Sequence, residues 1–489
     1  MGASAGRIGA GAYNHGMKIW LAVLFLLPLS ACIPQPPTAT VPPSTSDQTP
    51  TSPDQTASPL VVDGFFDDWA GTAPQALDPA GDGGVSGVDF TEIAVAHTDD
   101  LLVIAIELGK VVNLQSEPAL VLTLSAGGPE LRYDFAERTG ALGDERATHV
   151  VIGLASNPTV TSDRFEIALR RDAAAGDTRL FVDGAPVTLS FADPNPGGDL
   201  AGPFNYAWDN PAPAPAPLSS EQAAGTIRVL SYNVLNDGVM SSLRDDHFQR
   251  ILTALDPDVI AFQELENRAA ATVEARIEEW LGGDWHARKQ ADLVTVSRWP
   301  FVEGWPETHQ PLHPRIFPAM LDVDGRQLVV FNAHLFCCAE DAGRQDQADG
   351  FAAFIREHAP EGVPFILAGD LNLVGDARQL LTLLTGDILD EDVYGPDSPP
   401  DADGTSLADA VPRHLLSPHT YTWFDPVSAF SPGRLDYVIY TNSLLTATGF
   451  VLDSTLLPPE LLETLAIRAH DTLEASDHLP VVVDFGFLP

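Results

Sequence analysis

Short apolar runs rich in Val, Ile and Phe recur between residues 225 and 489, and most end on a residue that can bind a metal or move a proton. Ile227–Tyr232 leads to Asn233, Val259–Gln263 to Glu264, Leu328–Ala333 to His334 and Pro364–Gly369 to Asp370. Runs of this length and composition predict buried strands. Strands ending in polar groups at one rim are how an α/β sheet builds a site. Arg344–His358 and Ala377–Leu384 read as helices between them. Residues 60–208 are patterned differently. Ile93–Ala96, Leu101–Ile106, Ala119–Leu124, Val150–Leu154, Phe165–Leu169 and Val187–Phe191 are separated by Gly, Pro, Asp and Asn. Short strands with frequent turns predict an all-β sandwich.

The strand-end residues share one chemistry. Asn233, Glu264, Asp370, Asn372 and Asp477 offer the oxygen ligands that hard divalent cations prefer, which points to magnesium, with manganese as an alternative. No Cys/His cluster has zinc spacing. His334 and His478 remain for proton transfer or contact with an anionic oxygen. Asp436, in Arg434-Leu435-Asp436-Tyr437, is suited to hold one imidazole in the correct tautomer. A metal site with an activated water and a His–Asp pair describes phosphoester hydrolysis. His309, His313, His414, His419 and His470 belong to no such motif.

In chain order the motifs are Ser231-Tyr232-Asn233-Val234, Gln263-Glu264, Asn332-Ala333-His334-Leu335, Gly369-Asp370-Leu371-Asn372, the Arg434 motif and Ser476-Asp477-His478-Leu479-Pro480. This set resembles the endonuclease/exonuclease/phosphatase superfamily over residues 225–489. The resemblance implies a deoxyribonuclease I-like four-layer α/β sandwich, two sheets flanked by helices. It implies metal ligation by Glu264 with Asn233 and Asp477, and orientation of water and phosphate by Asp370 and Asn372. It further implies a His478–Asp436 general base, a phosphate or leaving-group contact from His334, and a structural or substrate contact from Arg434. The run Gln290–Val294 departs from the family's usual glycine or asparagine, which leaves the residue supporting His334 open. Arg315 is open between a substrate contact and a surface ion pair.

The expected function is a metal-dependent phosphoesterase acting on phosphodiesters or phosphomonoesters. Two alternatives stand beside it. One is a surface binding protein with an inactive phosphoesterase domain. The other, within enzymes, is a secreted DNA/RNA endonuclease or a sphingomyelinase-like phospholipase C. The net charge of −42 bears on this choice. From Leu218 on there are 16 Lys and Arg against 42 Asp and Glu, and Lys289 is the one lysine. Tight nucleic-acid binding, which relies on basic clusters, is disfavoured. The acidic stretch Leu389–Asp403 reads as a solvated loop near the active rim, or more sharply as a loop that excludes long polyanions.

Residues 1–32 resemble a bacterial lipoprotein signal. Met17-Lys18, a possible true start, precedes the apolar run Ile19–Leu29, and Leu29-Ser30-Ala31-Cys32 puts small residues before a lipidated Cys32. The expected location is extracytoplasmic and membrane-anchored, the outer membrane where there is one, with plain secretion as the runner-up. Residues 33–59, dominated by Pro, Thr, Ser, Gln and Asp, read as a disordered tether. Residues 209–224, containing Pro211–Pro217, read as a stiff linker. The opening of the 60–208 region resembles family 9-like carbohydrate-binding and DOMON-like sandwiches, which implies a carbohydrate ligand. Trp69 reads as core rather than ligand platform. Asp63, Asp67, Asp68, Asp78 and Asp82 read as turn caps or as a calcium site. Cys337 and Cys338 are adjacent, and buried free thiols are expected in preference to a vicinal disulfide.

Overall fold

A computed structural model describes residues 59–83, 87–113, 120–137, 139–153, 161–306, 312–428 and 430–489. The signal, Cys32 and nearly all of the tether lie outside them. Among the described residues no helix is long and apolar enough to cross a membrane.

The C-terminal half is built on two sheets. The first has strands β1 (Ile227–Asn233), β2 (Val259–Gln263), β3 (His286–Gln290) and β4 (Leu293–Ser297). The second has β5 (Ile316–Val323), β6 (Arg326–His334), β7 (Phe365–Asp370) and β8 (Asp436–Tyr440). Strands β9 (Leu445–Val451) and β10 (Val481–Phe487) return to the first sheet. Their orders are β3-β4-β2-β1-β10-β9 and β5-β6-β7-β8, each extended by a two-residue edge strand, Arg413–His414 and Ala408–Asp409 respectively.

Period-two alternation explains why both faces of these strands are apolar. Val229, Val259, Ala261, Val330, Ile366, Ala368 and Val438 meet between the two sheets. Leu230, Tyr232, Ile260 and Phe262 turn outward onto Phe248 and Ile251 of the helix Asp245–Leu255 and Val273 and Ile277 of the helix Ala270–Leu281. On the other outer face Phe331, Leu367 and Ile439 pack on Phe351 and Phe354 of the helix Asp341–His358. The result is α/β/β/α layering. Two parallel pairings, Asn233 with Gln263 and His334 with Asp370, bring strand ends to one rim. Gly369 is required there, because a Cβ would strike the Ala333 carbonyl oxygen.

The N-terminal residues form an antiparallel five-stranded sheet and a six-stranded one sharing a core that includes Phe90, Ile104, Leu122, Tyr133, Ile167 and Phe191. Trp69 is buried and donates its indole N–H to Glu166. Both halves belong to one compact unit, Thr56–Pro489. The Pro/Ala connection is pinned at each end, by Ala212 N–H to His97 O at 2.7 Å and Leu218 N–H to Leu415 O at 2.8 Å.

Asp63 and Asp68 accept the backbone N–H of Phe65 and Val61, so they act as turn caps. Asp78 and Asp82 converge instead with Asp199, which the sequence reading did not include. The acidic stretch 389–403 is tied down rather than loose. Asp349 accepts Leu389 and Asp390 N–H, and Arg356 donates to the Tyr394 and Pro396 carbonyls.

Candidate functional site

Five strand-end residues meet at the rim. Asn233 closes β1 with no exposure, and its Nδ2 donates to Glu264 Oε1 and to Asp370 Oδ2, each at 3.1 Å. The same nitrogen lies 3.5 Å from His478 Nε2. Glu264, one residue past β2, adopts φ 64°, and Asn372, two past β7, adopts φ 51°. Left-handed backbone costs a non-glycine residue roughly 1–2 kcal/mol. Such strain held at a strand end is characteristic of functional positions. Here it aims the Glu264 carboxylate at Asn233 and at the Asn236 N–H, 2.8 Å away.

Two imidazoles flank Asp370. His334 Nε2 and His478 Nε2 both lie 3.6 Å from its Oδ2. Each imidazole has a carboxylate behind it. His478 Nδ1 is 2.8 Å from Asp436 Oδ2, and His334 Nδ1 is 2.6 Å from Asp292 Oδ2. Asp370, Asp436 and His478 bring ligand atoms within 4.8 Å of one another. Asp436 Oδ1 is buried with no hydrogen-bond partner.

The electrostatics follow from this crowding. Burial lowers the His478 imidazole, but Asp436 and Asp370 outweigh it and carry the pKa up to about 10. Burial works against protonated His334 too, and the Asp292 hydrogen bond with the Asp370 charge holds it above its ordinary range. Burial pushes Asp370 upward, against the opposing pull of His478. Burial would also raise Asp292, yet the His334 hydrogen bond and charge hold it down.

Asp292, which stands behind His334, was not among the candidate site residues read from the sequence. It directly precedes β4, after Ala291 at φ 51°, in the tight turn from β3. A lone acidic residue just before a buried strand was the signal available.

Two expectations change, and a third residue is located. Arg434 was a candidate substrate contact. It is fully buried, pairs with Asp409 and lies 4.1 Å over the Tyr437 ring, so its guanidinium does not reach a substrate. Asp477 was expected beside Glu264. Its Oδ2 accepts the Trp423 indole N–H at 3.1 Å, and Trp423 lines the same cavity as Glu264. Cys337 and Cys338 are exposed and joined in a disulfide, because the loop after His334 faces the cavity rather than the core.

The cavity above the site is about 760 Å³. Glu264, His334, Asp370, Asn372 and His478 line one end, with Arg315, which donates to the His334 carbonyl and lies over the Phe336 ring. No residue of 389–403 lines it.

The sequence profile of the Endonuclease/Exonuclease/phosphatase family matches residues 230–478. The chain belongs to this family. The match begins in β1 and ends on His478, so it spans every residue that converges at the rim. A likeness to humanized D. rerio TDP2 has 18% identity and a TM-score of 0.35, covering 54% of this chain and 100% of that one. A family protein from Leptotrichia buccalis C-1013-b is 14% identical with a TM-score of 0.37, over 53% and 100%. The human Nocturnin catalytic domain is 18% identical with a TM-score of 0.34, over 54% and 94%. No curated protein matches.

Proposed function

We propose that the protein is a divalent-metal-dependent phosphoester hydrolase. The observation that carries this is the meeting of Asn233, Glu264, Asp370, His334 and His478 at one rim, with a His–Asp pair on each side of Asp370. The donor set fits a hard cation. It is rich in carboxylate oxygen, and Asp436 Oδ1 is a buried acceptor with no donor facing it. Glu264 and Asp370, steadied by Asn233, would hold magnesium or manganese. When bound, such a cation supplies positive charge to the phosphoryl oxygens and offsets the carboxylates that keep His478 protonated.

The chain's own groups account for the proton movements. Water adds to phosphorus as the P–O bond to the alcohol breaks. His478 Nε2 takes the proton from that water, while Asp436 fixes the tautomer through Nδ1. His334, oriented in the same way by Asp292, returns a proton to the departing alkoxide. Asn372, strained and adjacent to Asp370, orients the phosphate. The acidity of the chain disfavours long polyanions as tight ligands.

We further propose an extracytoplasmic, lipid-anchored location through Cys32. The signal-like residues 17–32 support it. Cys32→Ala should move the protein out of the membrane fraction, and unchanged partition would remove the anchor.

Glu264→Ala tests the hydrolase reading. Hydrolysis of a chromogenic phosphodiester with magnesium should vanish while the circular dichroism spectrum is kept. Retention of most activity would sink the assignment.

A further inference from the structure

The catalytic cavity is not made by the catalytic half alone. Ala136, from the turn after the strand Leu131–Asp134 of the N-terminal sheets, lines it directly. The same sheets hold two loops that border it. Tyr133 and the Thr148 carbonyl both bond Ser431, the latter at 2.9 Å, and fix the segment Phe430–Gly433. Thr161 Oγ1 donates to the Gly375 carbonyl at 2.9 Å, beside Val374. Phe430, Ser431, Pro432, Gly433 and Val374 all face the cavity.

The lining is of two chemical kinds. At the rim end stand the carboxylates and imidazoles described above. The rest of the lining includes the apolar residues Ala136, Phe336, Val374, Phe430 and Pro432, with Trp423 and Leu435. Arg315 is the one Lys or Arg among the described residues lining the cavity. A second phosphate carried by the substrate would therefore find no cation beyond Arg315. An uncharged apolar group would find a surface that removes it from water. A volume of about 760 Å³ falls within the range of small-ligand pockets, about 300–1,000 Å³.

We propose that the N-terminal β region is a specificity wall of the active site, selecting phosphoesters that carry an uncharged apolar group beside the scissile phosphate. This rests on the hydrolase reading above and names the substrate class of that same site.

The test uses the full chain with magnesium and three diesters that share one leaving group. These are p-nitrophenyl methyl phosphate, p-nitrophenyl hexyl phosphate and p-nitrophenyl 2-phosphoethyl phosphate. The readout is the ratio of kcat/KM values, which is insensitive to the fraction of active enzyme. Each fully buried methylene is worth about fourfold. With only part of the hexyl chain covered, the hexyl-to-methyl ratio should still exceed about tenfold. The phosphoethyl ester should fall below the methyl ester. Ala136→Asp, which places a charge on the N-terminal wall, should bring the hexyl-to-methyl ratio towards one. Ala136→Val, which stays apolar, should keep it. Tyr133→Phe, which frees Ser431 from one anchor, should lower the ratio partway, chiefly through the KM of the hexyl ester. A hexyl-to-methyl ratio near one in the unaltered protein overturns the proposal. So does a ratio that Ala136→Asp leaves unchanged, or a phosphoethyl ester cleaved better than the methyl ester. Silence on all three esters would overturn the hydrolase reading itself, and this proposal with it.

Discussion

His478 in the site and His419 at the contact with the N-terminal sheets are almost equally buried, at 5% and 2% exposure. Burial disfavours the imidazolium in both. Their proton affinities nevertheless move in opposite directions. Asp436 and Asp370 face His478 and raise it. Among the described residues no carboxylate acts on His419. Burial, the neighbouring His414 and Arg170 hold it well below the ordinary histidine range. Company therefore decides the charge, and burial only sets how strongly it decides. His419 sits where Val62 pairs with the catalytic half, so its neutrality serves the packing of the two halves.

The largest expected effect lies within the site. His478→Ala should reduce turnover at saturating magnesium by about 10²–10⁴, the usual cost of losing a general base. Asp436→Asn should act in the same direction. The double variant should lose little more than the worse single one, because the pair acts as a unit. Losses that multiply would break the dyad.

The same rule governs a buried guanidinium. Arg434 is fully buried against Asp409. Asp409→Asn should therefore cost about 3–5 kcal/mol of stability, the usual penalty for leaving a buried charge without its partner. Urea unfolding measures this. An unchanged midpoint would show that the guanidinium finds other company.

The second dyad should matter less than the first. Asp292→Asn should lower turnover by roughly 10–10², through a misoriented His334, and should be non-additive with His334→Ala. A loss larger than that of Asp436→Asn would exchange the two roles and make His334 the base.

The smallest effect comes from His419. Its folded pKa is depressed, so the stability it contributes is present above the unfolded value of about 6.5 and is lost as pH falls below it. The loss is at most about 1.4 kcal/mol per pH unit. His419→Gln should flatten the fall in Tm between about pH 7 and pH 5. A parallel fall in both proteins would show that other groups carry the acid sensitivity.

Much of this was legible before any coordinates. The apolar runs ending at Asn233, Glu264, His334 and Asp370 became strands β1, β2, β6 and β7, as alternation and length require. The ordered motifs anticipated which residues converge and that Asp436 stands behind His478. Local signals sufficed for the strand ends, each set by its own run of residues, whereas the Asp436–His478 pairing, itself 42 positions apart, came from the family resemblance.

What the sequence alone left open shares a physical cause. Asp292 meets His334 from 42 positions away, and Ser431 meets Tyr133 from 298 away. Nothing local encodes such pairings, which exist only once sheets are stacked and loops closed. The burial of Arg434, the hydrogen bond from Trp423 to Asp477 and the exposure of Cys337 and Cys338 have the same origin. Residue type determined which chemistry was present at the strand ends. Packing decided which groups face each other, and through that the charge each one carries and the wall that the N-terminal sheets lend to the cavity.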